Sequence, residues 1–532
     1  MSVNLSKLNE LVNSGNYAKA EFLLYDLIKT APNDYNLNKN LGMVLLAQKK
    51  YQGALLSFEK CYFTNKNDID VILNLSFLFL KVQDHAQCIK FSNEVINIDP
   101  NSAGGYQNLA TSYLEMHNFT NAKEYADKVI KIRGGINSKE FLKYPDFINV
   151  YADILLAKKD ISTFVNFSQI ILDKEVFISE IFIKLLKQEP TKIKAAYTTV
   201  IENVINNPSQ FDNNVERSAQ LASANICLAE FHKSNRQVSE KYFIAANEYI
   251  SNMQRTPIYA RQQMYINLVD YFSKFKESLI TNKIDPDKGK GVIFIIGMPR
   301  SGTTLIESIL STANETVAGG EKVFFTNNLW TIFSDLKADQ PLNPKFIEEL
   351  GDRYLDTIEL HRNGASNFID KMPANFLFYK FIKLALPGSK FIHTHRNPWD
   401  NAISLFKANY QDTIIYASSF FAIATEYSNY SYLMKFWEKI SKDPFLDMPY
   451  EEIVSNTDIS IKKLWDYCGL RGEFSSDKRK SHYANTASQQ QVSKDIYKTS
   501  LKKEEFTEFR DQFYDDLAQQ DVFWEKQRDI KL

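Results

Sequence analysis

Residues 292–308 of this 532-residue chain read VIFIIGMPRSGTTLIES. A β-branched apolar run passes into a tight loop holding Gly297 and Gly302, and the loop opens onto TTLIESILST, whose apolar spacing is helical. Strand, loop and helix in that order aim consecutive backbone N–H groups and a helix N-terminus at one point, which is an anion-binding arrangement. The triphosphate-binding form of such a loop follows its second glycine with lysine and then Ser or Thr; the lysine reaches the terminal phosphates and the hydroxyl holds Mg²⁺. Here the order is Gly297, Met298, Pro299, Arg300, Ser301, Gly302, Thr303, Thr304, so Thr303 stands in the lysine position. A triphosphate loses its principal cation there. A shorter anion, a phosphate bearing one sulfate, suits Arg300, the loop amides and the hydroxyls of Ser301, Thr303 and Thr304.

The elements that must carry this loop lie behind a repeated segment. Cutting the chain at Met1, Tyr35, Ile69 and Ala103 gives four units of 34 residues. Ala20, Ala54, Cys88 and Ala122 share one small-residue slot, and Leu41, Leu75 and Leu109 share an apolar slot thirteen positions earlier. The first unit has Lys7 in that slot with Leu8 beside it, a departure that suits a terminal, capping unit. Pro32 and Pro100 end their units. With LG at Leu41 and Gly42 and aromatic residues at Tyr17, Tyr51 and Phe119, the segment resembles the tetratricopeptide repeat, in which each unit is a pair of antiparallel helices. Helical spacing persists beyond residue 137, and a clearer helix pair spans 218–253. The stretch TNKIDPDKGKG, 281–291, reads as a linker and places a domain boundary before the loop.

Composition excludes several classes. A net charge of −1 and a pI near 6.7 supply no global basic field for nucleic acid or an anionic membrane. Cys61, Cys88, Cys227 and Cys468 are dispersed, without CxxC spacing, against a disulfide framework or a structural zinc site. The opening MSVNLSKLNELVNSG lacks a basic segment followed by an apolar one, and the most apolar runs are far shorter than a membrane span. A reducing cytoplasm, with no membrane span, is the expected setting.

Four motifs together carry a family resemblance: PRSGTTL at 299–305, GGE at 319–321, DKMPANF at 370–376 and IHTHRNPWDNAISLF at 392–406. They resemble the sulfotransferases that use 3′-phosphoadenosine 5′-phosphosulfate. More narrowly, the chain is similar to bacterial proteins with tetratricopeptide repeats fused to a sulfotransferase domain whose catalytic half is like that of tyrosylprotein sulfotransferases. The resemblance implies a 5′-phosphosulfate site at Arg300, Ser301, Gly302, Thr303 and Thr304. It assigns Arg396 and Ser404, eight residues apart, to the 3′-phosphate; GSKFIHTHRNP reads as strand into loop, with Pro398 placed to open a helix and Asp400 in its first turn. Tyr450 in MPYEEIV matches a tyrosine near the nucleotide, and Ser488 in TASQQQV a serine beside it. Lys503, with Lys502 adjacent, lies at the spacing of a basic residue close to the cofactor. Where relatives read QVRxP, this chain has Gln491, Val492, Ser493, Lys494 and Asp495. No metal is required.

Sulfuryl transfer to a hydroxyl rests on positioning and charge stabilisation, aided by a base that takes the acceptor proton. Glu321 follows VAGG, where a tight turn exposes a carboxylate beside the loop, and it matches the catalytic glutamate of the tyrosylprotein relatives; the competing reading is an acidic residue opening the helix EKVFFTNNLW. Lys371 has two readings as well, a cation stabilising charge on the leaving phosphate or a partner in a salt bridge with Asp370 or another surface carboxylate. Asp370 is expected to orient the lysine. His393 and His395 lie two apart on one face of a strand without a third ligand at a recognisable spacing.

The expected architecture is an all-α tetratricopeptide-repeat superhelix with four repeats over 1–136, further irregular helical repeats over 137–285, and an α/β P-loop-like sulfotransferase domain with a largely parallel sheet over 286–532. The expected reaction moves a sulfuryl group from 3′-phosphoadenosine 5′-phosphosulfate to an acceptor hydroxyl, with protein tyrosine, glycan, lipid and small molecule all open. The repeats either hold the acceptor or a protein partner in their groove or act as a spacer. Two competing functions are a repeat scaffold with a lapsed catalytic domain and a Mg²⁺-dependent kinase or nucleotide triphosphatase, the latter opposed by the absent lysine and by the lack of a strand-terminal metal Asp.

Overall fold

Helix starts recur with the sequence period. In the computed structural model, which describes residues 2–210, 214–253, 258–275, 284–335, 341–408, 410, 414–442, 444–481, 496 and 504–531, helices begin at Tyr35, Ile69 and Ala103 and their partners at Tyr17, Tyr51, His85 and Phe119, each 34 residues apart. Ala20, Ala54, Cys88 and Ala122 are fully buried, which lets the paired helices approach closely. Leu41, Leu75 and Leu109 are buried too; in the first pair Leu8 takes that place while Lys7 is exposed.

The turns within the pairs are built alike. Gly15, Lys49, Gln83 and His117 are left-handed, with φ of 69°, 58°, 61° and 58°. One residue later, the N–H groups of Asn16, Lys50, Asp84 and Asn118 reach back five positions to Leu11, Leu45, Phe79 and Tyr113 at 2.8–2.9 Å, closing each helix with its otherwise orphaned carbonyl satisfied. Asp34, Asp68 and Ser102, again 34 apart, cap the following helices by accepting from Leu37, Val71 and Gly105 N–H. The short helix Lys139–Leu142 and the helix Pro145–Ala157 follow.

The chain divides into two compact units between Asp160 and Ile161. This differs from the expected boundary after residue 285, and the reason lies in the core. Helices Asn214–Phe231, Arg236–Met253 and Ile258–Phe275 place Ile226, Phe243, Ala246, Tyr265 and Leu268 in the same apolar cluster as Val292, Phe294 and Ile296. Polar links reinforce it: Asn247 Nδ2 donates to Phe406 O at 2.8 Å, and Arg261 Nε donates to the buried Glu426 at 3.0 Å. The linker reading is corrected for 284–291, since Gly388 N–H donates to Lys288 O at 2.8 Å and Lys288 Nζ donates to Glu348 O at 2.8 Å, which binds the segment to the sheet domain. Residues 281–283 lie outside the described residues.

Among the described residues the sheet has five strands, β1 (Val292–Gly297), β2 (Thr316–Ala318), β3 (Asn367–Asp370), β4 (Lys390–Thr394) and β5 (Leu446–Asp447), all parallel in the order β2-β3-β1-β4-β5. Both faces of β1 are covered. Val292, Phe294 and Ile296 belong to one apolar cluster, in which Phe294 packs on Phe325, Tyr354 and Phe391, and Ile293 and Ile295 belong to another with Ile306, Ile309, Ile453 and Leu464. Full burial of one such side chain contributes about 1.5–3 kcal/mol, so β1 is the anchor of the domain. From β1 the chain builds β2 and β3 on one flank and then β4 and β5 on the other, which makes the carboxyl ends of β1, β3 and β4 the switch point where such sheets bind ligands. Among the described residues no helix is long and apolar enough to cross a membrane.

Candidate active site

Every described residue singled out for chemistry lies at or just beyond a strand's carboxyl end or on the helix that follows. After β1 the loop turns through Arg300 and Gly302, both left-handed at φ 69° and 107°, and Thr303 and Thr304 begin the helix Thr303–Leu310. The backbone at Gly297 passes so close to β4 that a Cβ there would stand 2.1 Å from Thr394 O; only glycine fits. Thr394 Oγ1 donates to Ser301 O at 3.1 Å and Asn401 Nδ2 to Pro299 O at 3.0 Å, so β4 and its helix hold the loop from one side. Ser301 Oγ is buried with no hydrogen-bond partner among the described residues, an acceptor and donor kept dry at the head of an anion loop.

The second motif arrives from β4. Asn397 caps the helix Pro398–Phe406 by accepting from Trp399 and Asp400 N–H at 3.1 and 3.2 Å, with Pro398 at its first position. Arg396 is buried, its guanidinium 4.5 Å from the centre of the Tyr450 ring, and Tyr427 hydroxyl donates to its carbonyl at 2.6 Å. Desolvation holds that guanidinium below its ordinary range, with the Tyr450, Asp400 and Glu451 charges opposing and the Arg300 charge adding. Ser404 Oγ accepts from Arg300 Nε at 3.1 Å. Arg300, Arg396, Ser404 and Tyr450 therefore share one corner, and the serine expected beside Arg396 is bonded to Arg300. The ring of Tyr450 also packs on the loop, because a Cβ at Gly302 would lie 2.5 Å from Tyr450 Cδ2.

On the other flank, β2 is followed by Gly319 and Gly320. Gly319 N–H donates to Ile369 O at 2.7 Å, Lys371 N–H donates to Gly320 O at 2.9 Å, and Gly320 itself is left-handed. This turn delivers Glu321, whose Oε1 lies 2.5 Å from Lys371 Nζ. The lysine is fully buried, whereas the glutamate side chain is 43% exposed, so the pair has a dry end and a reachable end. The helix-opening reading of Glu321 is corrected: the helix starts at Phe324, and Val323 O accepts its first bond, from Asn327 N–H at 2.9 Å.

Asp370 does not orient Lys371. Its Oδ2 accepts from the Tyr354 hydroxyl at 2.8 Å. Burial pushes this carboxyl up to about 7, the nearby Glu307 charge adding and the bond from Tyr354 and the Lys322 charge opposing. The two histidines converge on one residue absent from the sequence reading, Asp447 in β5, with His393 Nδ1 at 2.7 Å and His395 Nε2 at 3.2 Å from its two oxygens; His393 Nε2 contacts the Tyr430 hydroxyl. A carboxylate accepts only, so the nitrogens facing it carry the hydrogens. Burial holds His393 below the ordinary imidazole range, and the bond to Asp447 lifts His395 above it. Among the described residues no group of three or more His, Cys, Asp or Glu is arranged to hold a metal ion.

Ser488, Lys502 and Lys503 lie outside the described residues. Besides Asp447, two more residues here escaped the sequence reading. Glu307, 1% exposed on the loop's own helix, faces Lys371 at 4.0 Å, and its signal was available as the single charge in TTLIESIL. Tyr410 stands within electrostatic reach of both Arg300 and Glu321; desolvation pushes its phenol up, the Arg300 charge opposing and the Glu321 charge adding.

Comparison with known proteins accords with this geometry. Residues 292–474 match the sulfotransferase family and residues 103–135 the tetratricopeptide repeat. An uncharacterized protein of Aquifex aeolicus is 26% identical over 342 residues, 60% of this chain; the chain spans 44% of that relative's length. A BBSome complex member of Xenopus tropicalis is 28% identical over 94 residues, 18% of each chain. Among solved structures, a sulfotransferase from Mycobacterium avium aligns with 53% of this chain and 85% of its own at 13% identity and a TM-score of 0.25. The loop and the parallel sheet lie in the segment, residues 292–474, that matches the sulfotransferase family, and the helical array holds the tetratricopeptide-repeat match at 103–135.

Proposed function

We propose that this domain transfers a sulfuryl group from 3′-phosphoadenosine 5′-phosphosulfate to an acceptor hydroxyl, and that the Glu321–Lys371 pair beside the anion loop carries the reaction. The single observation behind this reading is the pair itself: a buried cation and a reachable carboxylate 2.5 Å apart, at the end of β3 and the turn after β2. The donor, when bound, supplies the activated sulfuryl group. The residues present suit such an anion. The loop amides, the buried Ser301 hydroxyl, Thr303 and Thr304 would receive the 5′ end, while Arg396 and Ser404 would take the 3′-phosphate and Tyr450 would flank the nucleotide. From the resemblance, Ser488 and Lys503 complete that side.

Glu321 would accept the acceptor's proton as the acceptor oxygen attacks sulfur and the bond from sulfur to the nucleotide phosphate breaks, and Arg300 and Lys371 would set positive charge against the negative charge that builds on that leaving phosphate. The base exchanges its bond to Lys371 for one to the acceptor hydroxyl, and Lys371 is then directed to the transferring group. Protein tyrosine is an acceptor suggested by the tyrosylprotein likeness; glycan, lipid and small-molecule hydroxyls suit the same chemistry. The repeats would offer a groove to the acceptor or to a protein partner.

The test is a titration of the protein with 3′-phosphoadenosine 5′-phosphate and with ATP, followed by transfer of label from the phosphosulfate donor to a panel of tyrosine peptides, glycans, lipids and phenols. The expected outcome is preference for the 3′-phosphorylated nucleotide and at least one labelled acceptor. Preference for ATP with Mg²⁺ would return the loop to the kinase reading despite Thr303.

A further inference from the structure

Helix Thr303–Leu310 is buried at every position, and its one charged residue is Glu307. Burying a carboxylate is costly unless charge and hydrogen bonds compensate. Glu307 has both on its two oxygens. Oε1 accepts from Gly320 N–H at 3.1 Å, and Oε2 lies 4.0 Å from Lys371 Nζ. Gly320 is the left-handed residue just before Glu321, and its carbonyl accepts from Lys371 N–H. One carboxylate thus ties together the helix that follows the anion loop, the turn that carries the base, and the lysine that pairs with the base.

We propose that Glu307 is a positioning residue for sulfuryl transfer: the inner carboxylate that keeps Lys371 in place when Glu321 leaves it for the acceptor. The inference rests on the roles just given to Glu321 and Lys371. Lys371 is fully buried, so losing its outer partner with nothing behind it would strand an ammonium away from water. Glu307 prevents this. Asp370 is close in sequence, but its Oδ2 is engaged by the Tyr354 hydroxyl, and the carboxylates that meet the Lys371 ammonium are Glu307 and Glu321. The lysine sits between an inner partner at 4.0 Å, 1% exposed, and an outer partner at 2.5 Å, 43% exposed. The outer one is the one an incoming substrate can reach, while the inner one is bonded to the turn.

Glu307→Gln separates the two duties, because its amide oxygen still accepts from Gly320 N–H while its charge on Lys371 is gone. The variant is expected to bind 3′-phosphoadenosine 5′-phosphate within about threefold of the parent and to transfer label with kcat lowered about 10²-fold, KM for the donor little changed. In a cycle with Lys371→Met, the double variant should be no slower than Lys371→Met alone. If the two losses multiply instead, Glu307 acts independently of the lysine and the positioning role is overturned. Thermal unfolding of the same four proteins, which needs no turnover, should show coupling between the two sites. Coupled unfolding in a parent that labels no acceptor refutes the sulfuryl-transfer reading and leaves the Glu307–Lys371 pair established; labelling by the parent with additive unfolding refutes the pair. Should Glu307→Gln not fold, Glu307→Asp, which keeps the charge, takes its place in both cycles, and additivity there overturns the inference equally.

Discussion

Arg300 Nε donates to Ser404 Oγ at 3.1 Å, joining the anion loop after β1 to the helix after β4 across 104 positions of sequence. Two motifs expected to grip opposite ends of a nucleotide are therefore in direct contact. Arg396→Ala should raise the dissociation constant for 3′-phosphoadenosine 5′-phosphate by about one to two orders of magnitude, the worth of a charge-assisted phosphate bond, and should erase discrimination against the nucleotide lacking its 3′-phosphate. Arg300→Ala and Ser404→Ala should be non-additive with each other, because each removes the same bond. Retained discrimination in Arg396→Ala would take the 3′-phosphate away from that residue.

Glu321→Gln separates base from scaffold. The side chain lies outside the helix that begins at Phe324, so no cap is lost, and the melting temperature and nucleotide affinity should stay near those of the parent. Single-turnover transfer should slow by about 10²-fold or more. A destabilised variant, by the roughly 0.5–2 kcal/mol a lost cap costs, that retains parental turnover per folded molecule would sink the assignment.

Asp370 gives stability a pH dependence. Its carboxyl is raised to about 7 in the fold, whereas an unfolded aspartate titrates near its ordinary value of about 3.9. Between those values the folded chain holds a proton that the unfolded chain has released. This group's contribution is thus present at the acid end and lost as pH rises through the folded value. Asp370→Asn, which keeps an oxygen for the Tyr354 hydroxyl, should melt close to the parent near the low end of that window and higher than the parent above it. Parallel melting profiles across the window would show that burial does not hold the proton.

Two glycines of the site should respond differently to alanine. At Gly297 a Cβ would stand 2.1 Å from the Thr394 carbonyl, backbone that has nowhere to go, and Gly297→Ala should prevent accumulation of folded protein. At Gly320 nothing lies within 4 Å, so the left-handed φ of 68° is the only obstacle, worth about 1 kcal/mol. Chemical denaturation measures both; equal losses would mean that strain, not close approach, governs Gly297.

What the sequence determined by itself is whatever depends on neighbours along the chain. The 34-residue period places helix starts, caps and small slots, because helix hydrogen bonds span four residues and a turn of fixed length recurs with them. The strand, loop and helix at 292–310 are legible for the same reason, as is the absence of a triphosphate lysine at Thr303. Strands β2, β3 and β5 were not, since two to four residues hold no period. Tertiary structure alone decided which partner each charge meets. Lys371 faces Glu321 and Glu307 rather than its neighbour Asp370, and His393 and His395 meet at Asp447, because parallel pairing sets β2 beside β3 and β4 beside β5 and so brings distant carboxyl ends to one edge. It also decided that helices 214–275 join the sheet's core, a choice made by which apolar faces β1 leaves uncovered, and no local pattern encodes that.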